Sequence, residues 1–209
     1  MKKNLAPLLL MAAFLSTFGW SARAVQAGDD APAFDAPATG GKNVKLSDYK
    51  DQWLVLYFYP KADTPGCTKE ACSLRDGIEN LKSARAVVLG ASVDSVEAQD
   101  KFKAKYKLPF DLIADEKKDV AKAYGSLGAL GFMAQRRTFI INPEGKVAKV
   151  IDDVETSTHV DQVLAALKEV QKPKTRTPPE RFSDPLVPAG RPPGHPSSTF
   201  SDQIPIDTI

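Results

Sequence analysis

The sequence predicts a layered α/β domain with a central sheet covered by helices on both faces, and three observations predict it. Two apolar runs, Trp53–Tyr59 (WLVLYFY) and Ala86–Val93 (AVVLGASV), lack the polar alternation of a half-exposed strand. Such runs fit strands buried on both sides, as in a parallel or mixed sheet. Each is followed by a helix-start signal, Thr64-Pro65 after the first and Ser95 after the second. The remaining periodic segments complete the order β-α-β-α-β-α-β-β-α, an alternation that builds a sheet with helices packed against it.

Residues 1–27 read as a secretory signal: Lys2 and Lys3 open it, an apolar run extends from Leu5 to Trp20, and small residues follow. Cleavage is expected after Ala22-Arg23-Ala24 or after Val25-Gln26-Ala27. The run is short for a membrane span of about 20 residues and is interrupted by Pro7, Ser16 and Gly19. Removal, and no stable membrane insertion afterwards, is therefore expected. The two-lysine start and Ala-rich processing region look bacterial, which points to export into the periplasm.

The folded domain is expected over residues 28–171. Gly28–Lys50 reads as a polar lead-in with a short turn at LSDYK (46–50). After the first strand, Thr64 is a good N-cap and Pro65 a favoured first helical residue, which puts Cys67 third in the helix. Ala71, Leu74, Ile78 and Leu81 follow Cys67 at helical spacing and predict one core-facing stripe. Ser95 caps the next helix, whose inward positions are Ala98, Phe102 and Tyr106. Phe110–Ala114 is a short strand, and Lys117–Tyr124 a short helix stopped by Gly125. Arg137–Ile141 and Val147–Ile151 form a hairpin around Asn142-Pro143-Glu144-Gly145. Val160, Val163, Leu164, Leu167 and Val170 mark a final amphipathic helix. From Lys172 onward the composition changes: nine of the sixteen prolines fall in residues 172–209 and apolar periodicity stops. That segment reads as a disordered, Pro-rich tail.

Charge excludes a class of partners. The 28 Lys and Arg residues face 26 Asp and Glu, so no basic surface suited to nucleic acid is indicated.

The chemistry is expected at the two cysteines. Backbone N–H groups in a first helical turn lack intrahelical partners, and the macrodipole adds partial positive charge. A thiol at Cys67 is thereby eased toward thiolate, the nucleophilic form. Cys72 follows with four residues between. On an ideal helix the two Cα atoms lie about 8.7 Å apart, beyond the ~7 Å that a disulfide spans. The two can join only if the turns between them unwind, which suits a redox switch better than a structural staple. A dithiol exchanger normally has two intervening residues, not four. A zinc site would have to recruit His159 and His195. A cysteine hydrolase needs a histidine base, and neither histidine is expected in the core. Without a base, electrostatics must activate Cys67, which favours attack on an already reactive bond such as O–O.

FYPKADTPGCTKEACSLRD, together with RRTFIINPEGKV, resembles the peroxiredoxins, most closely the peroxiredoxin Q or bacterioferritin-comigratory-protein type. The resemblance spans about Gly28 to Gln171 and carries the specific pattern Pro60, Thr64, Pro65, Cys67. It implies a thioredoxin-like fold and reduction of hydrogen peroxide and organic hydroperoxides without a cofactor or metal. It also implies that Cys67 is the peroxidatic cysteine and Cys72 the resolving one, the two forming a disulfide that a thioredoxin-like dithiol reduces. Thr64 would hydrogen-bond the thiolate and the peroxide, and Pro65 would shield them from water. The arginine of the R-x-T-F pattern selects Arg136, and strand alternation sends Arg137 to the opposite face, toward solvent. Tyr57, Phe58 and Tyr59 are read as core, with the Tyr59 hydroxyl available at the pocket edge; Lys61 and Lys69 add positive potential, and Arg75-Asp76 form a local ion pair. Relatives of this type are often monomers. The competing readings are an exported disulfide exchanger on the same fold and a non-enzymatic domain whose tail recruits a partner.

Overall fold

The computed structural model describes residues 24–172; the expected secretory signal up to residue 23 and the Pro-rich stretch from Pro173 lie outside the described residues. Strands are numbered β1 Asp35–Ala38, β2 Lys42–Lys45, β3 Trp53–Phe58, β4 Ala86–Ser92, β5 Asp111–Ala114, β6 Arg137–Ile141 and β7 Val147–Ile151. Helices are α1 Pro65–Asp76, α2 Ile78–Ser83, α3 Val96–Tyr106, α4 Asp119–Ala123 and α5 His159–Val170.

The sheet is organised around β3, inaccessible from Leu54 onward. It runs parallel to β4 and antiparallel to β6 within the order β2-β1-β5-β4-β3-β6-β7. Successive β3 side chains point to opposite faces, so Leu54, Leu56 and Phe58 enter one core while Val55, Tyr57 and Tyr59 enter the other. The first core is closed by α4, Tyr124, the β1–β2 hairpin and Val25. The second is closed by α1, α2, α3 and α5 through Ala71, Leu74, Leu81, Phe102, Val163 and Leu167. The central mixed sheet with helices on both faces is thus present, though among the described residues α4 is the one α-helix in the first core. The β6–β7 turn closes as expected, with Gly145 at φ +79 and the Asn142 side chain accepting from Lys146 N–H at 2.8 Å.

Three local expectations are corrected. The polar lead-in contains the β1–β2 hairpin, hidden in the sequence because only Val44 of β2 points inward. The helix from Pro65 stops at Asp76 and α2 restarts at Ile78, so the expected stripe is carried by two helices. A Cβ on the intervening Gly77 would stand 2.2 Å from Val160 Cγ2, so the break lets α5 pack closely. The short helix expected over Lys117–Tyr124 covers only Asp119–Ala123, where the Asp115 carboxylate accepts from the N–H groups of Val120 and Ala121 at 3.2 and 2.7 Å.

Candidate active site

The loop between β3 and α1 is tied down before the helix begins. Ala62 N–H donates to Asp94 at 2.7 Å, and Asp63 accepts from Lys105 Nζ and Tyr106 Oη of α3. This fixes the α1 N-terminus at the edge of the second core, with Pro65 as its exposed first residue. Cys67 lies in that opening turn and is 2% exposed. Thr64 occupies the N-cap position in extended conformation, but its hydroxyl donates to Lys61 O at 2.9 Å and does not cap. The sulfur thus sits at a helix end that no side chain caps, where backbone N–H groups lack intrahelical partners.

Arg136 completes the site. Its Nη2 reaches Cys67 Sγ at 3.4 Å, and its Nη1 donates to Glu70 Oε2. Gly66 makes the approach possible, because a Cβ there would be 3.3 Å from Nη2. Arg137 turns to the other face, as alternation requires, but does not stand free in solvent. It pairs with Asp152 at 2.5 Å, donates to Gly125 O at 3.2 Å and lies over the Phe139 ring.

Cys72 is half-buried and, like Cys67, a free thiol. Arg75 lies beside it, pairs with Asp76 at 2.7 Å as expected, and donates to Tyr106 O at 2.8 Å. The Tyr59 hydroxyl is not at a pocket edge: it is buried and donates to Gln99 Oε1 at 2.5 Å. Lys61 and Lys69 are exposed. His195 lies outside the described residues, and among the described ones no group of three or more His, Cys, Asp or Glu is arranged to hold a metal ion.

The family model described as AhpC/TSA family matches residues 27–150. Peroxiredoxin Bcp of Escherichia coli (strain K12) is 44% identical over 151 residues, covering 69% of this chain and 97% of the relative. This chain belongs to the AhpC/TSA family: it is a peroxiredoxin. The crystal structure of peroxidoxin BcpB from Mycobacterium tuberculosis has 36% identity and a TM-score of 0.66, covering 70% of this chain and 99% of that one. A structure of the Xanthomonas campestris bacterioferritin comigratory protein, which gives insights into that protein's alkyl peroxide reduction activity, has 34% identity and a TM-score of 0.62. It covers 65% of this chain and 90% of its own. As a peroxiredoxin the chain is a thiol peroxidase on a thioredoxin-like fold.

Two residues of this peroxiredoxin's site were missed in the sequence. Glu70, on the Cys67 face of α1, is inaccessible, and burial pushes its carboxyl up to about 7 despite the opposing pull of Arg136. His159, expected outside the core, is also inaccessible, and burial, reinforced by Arg136, pushes it down to about 4. Its Nδ1 lies 3.3 Å from Glu70 Oε1, and its Nε2 lies 3.0 Å from Thr138 Oγ1. Both had a signal. A half-buried guanidinium calls for a carboxylate, and Glu70 is the acid three residues beyond Cys67. His159 precedes Val163, Ala166 and Leu167 at helical spacing, and that stripe faces the core.

Proposed function

We propose that Cys67 is the peroxidatic cysteine of this enzyme and Cys72 its resolving partner. The observation that carries the assignment is the Arg136 guanidinium 3.4 Å from Cys67 Sγ at an open helix N-terminus. The Cys67 thiolate attacks the distal oxygen of a hydroperoxide. An S–O bond forms and the O–O bond breaks, and the alcohol or water leaves after its oxygen takes a proton. Cys67 loses two electrons, and the peroxide gains them. The developing negative charge on the departing oxygen faces Arg136, which is already fixed and needs no reorganisation. Thr64 reaches the peroxide once its hydroxyl turns from Lys61 O, and Pro65 limits water at the helix mouth.

Cys72 then attacks the sulfenic sulfur, water leaves, and a Cys67–Cys72 disulfide forms after the turns between them unwind. An external thioredoxin-like dithiol returns both to thiols. Peroxide consumption with such a dithiol separates this reading from a disulfide exchanger. Cys67→Ser should abolish turnover, whereas Cys72→Ser should accumulate a sulfenic acid at Cys67 detectable by mass spectrometry after one equivalent of peroxide. Absence of that adduct ends the assignment.

We further propose that the chain is exported to a periplasm, on the basis of Lys2, Lys3 and the apolar run that follows, and, from its resemblance to this type of peroxiredoxin, that it acts as a monomer. Burial of Val25 in the first core supports cleavage after Ala24 over cleavage after Ala27. The mature N-terminus, read by mass spectrometry of secreted protein, tests this.

A further inference from the structure

Beneath Arg136 the domain buries two titratable side chains that the peroxide chemistry leaves without a task. His159 is surrounded by Glu70 from α1, Thr138 from β6, Arg136 just before β6 and Tyr57 of β3, whose ring meets the imidazole at 6.2 Å, nearly edge-on. We propose that His159 is a positioning residue for the peroxide step, holding the Glu70 carboxylate that in turn holds the Arg136 guanidinium against Cys67. This rests on Cys67 being the peroxidatic cysteine.

The argument starts from hydrogen-bond accounting. Arg136 engages Glu70 through Oε2. Glu70 Oε1 and His159 Nδ1 are both buried without a hydrogen bond, and they face each other at 3.3 Å. Each unpaired atom carries a desolvation cost, which a slight closure of the pair removes. The Thr138 hydroxyl, 3.0 Å from Nε2, has one proton to give. Donating it to Nε2 leaves the ring proton on Nδ1, aimed at Oε1. Thr138 and Arg136 are two residues apart on the chain entering β6 and share a face, so one stretch of backbone carries both the guanidinium and the group that sets the imidazole. A carboxylate gripped at one oxygen can rotate and take Nη1 with it. A second grip on Oε1 stops that rotation.

Glu70 also lies between Cys67 and Cys72. Unwinding of those turns lifts it off His159, so the hold belongs to the helical, reduced form and acts on the peroxide step rather than on resolution. The two steps therefore separate a positioning role from a merely structural one.

The test is stopped-flow measurement on the full chain of the peroxide reaction and then of disulfide formation, in wild type and in His159→Leu, His159→Asn and His159→Gln. Asn presents an amide donor near the Nδ1 position, whereas Gln carries its amide farther out, toward Thr138. Leu and Gln should lower the second-order rate with peroxide about tenfold or more, as misplacement of a charged group by a fraction of an ångström does. Asn should stay within about threefold, and the disulfide step should not slow in any variant. A folded Leu variant with the wild-type peroxide rate overturns the proposal, as do Asn and Gln variants that behave alike. Independently of how the variants fold, nitrogen NMR of the wild type above about pH 8, where Glu70 is ionised, should find the ring proton on Nδ1; a proton on Nε2 overturns the proposal. Failure of the Cys67 reading registers separately, as wild-type protein that forms no sulfenic acid.

Discussion

The Glu70–His159 pair makes a quantitative prediction about stability. Glu70 rises from an ordinary 4.5 to about 7 in the folded protein, and His159 falls from 6.5 to about 4. At about 1.4 kcal/mol per tenfold change, each displacement corresponds to roughly 3 kcal/mol. The signs are opposite. Glu70, raised, contributes stability that is full below 4.5 and lost as pH climbs through 7. His159, depressed, contributes stability that is full above 6.5 and lost as pH falls through 4. Between these limits one group gains what the other loses, because folded and unfolded states hold the same number of protons at the pair. The pair thus adds almost no pH dependence in the wild type. Removing one partner exposes the other. His159→Leu should lose about 2 kcal/mol relative to wild type between pH 5 and 7 as pH rises, and Glu70→Gln a similar amount as pH falls over the same window. Urea unfolding of each variant and wild type at matched pH gives the difference curves, in which every other titrating group cancels. Parallel curves for wild type and both variants would refute the opposed displacements, as would slopes of the same sign in the two variants.

Arg136→Ala should lower kcat/KM for peroxide by about 100-fold or more, while Arg137→Ala should leave it unchanged and reduce stability by about 1 kcal/mol through the lost Asp152 and Gly125 contacts. Steady-state peroxide kinetics on the pair decides, and equal losses would refute the two-face assignment. Gly66→Ala places a methyl 3.3 Å from Arg136 Nη2, so a several-fold drop in peroxide rate with little change in urea midpoint is expected. Gly90→Ala brings a methyl within 2.7 Å of Leu112 Cδ2 and 2.8 Å of Tyr57 Oη, so it should cost about 1–3 kcal/mol by overpacking, measured by the same denaturation.

Much of the fold was legible because its strongest signals are the ones that burial makes long and uniform. β3 and β4 are continuous apolar runs, and β6–β7 carries its turn chemistry in Asn142-Pro143-Glu144-Gly145. The β1–β2 hairpin was not legible, since an edge ribbon with Lys42, Asn43 and Lys45 outward has no hydrophobic pattern to read. Cys67 was reachable from helix-start chemistry and Arg136 from the R-x-T-F resemblance, and they meet at 3.4 Å. Glu70 and His159 were not reached. Glu70 is of a type usually found at the surface, and the guanidinium that makes its burial tolerable reaches it only in the tertiary structure, as does the Thr138 hydroxyl that meets the buried His159 imidazole. The break at Gly77 escaped for a related reason: the apolar spacing runs on unbroken through Ile78 and Leu81, and the side chain packed closely against Gly77, Val160, belongs to another helix.

The extent of unwinding needed to join the cysteines is bounded by contacts made just beyond Cys72. Ser73 Oγ accepts the N–H of Val160 at 3.1 Å, capping α5 from a neighbouring helix, and Arg75 is tied to Tyr106 O. On the other side, Asp63 and Ala62 are tied to α3 and to Asp94. The stretch free to open is therefore the one containing Cys67, Glu70 and Cys72, and the rest of α1 should stay helical in the disulfide form. Hydrogen exchange on reduced and oxidised protein should find amide protection lost from Thr68 to Cys72 and retained at Leu74–Asp76. Ser73→Ala removes an interaction of the strength of a helix cap, about 1 kcal/mol, and should let the loss spread into the first turn of α5 on oxidation. Loss of protection along all of α1 in oxidised wild type would mean that these anchors do not limit the opening, and that the disulfide is reached by melting the whole helix.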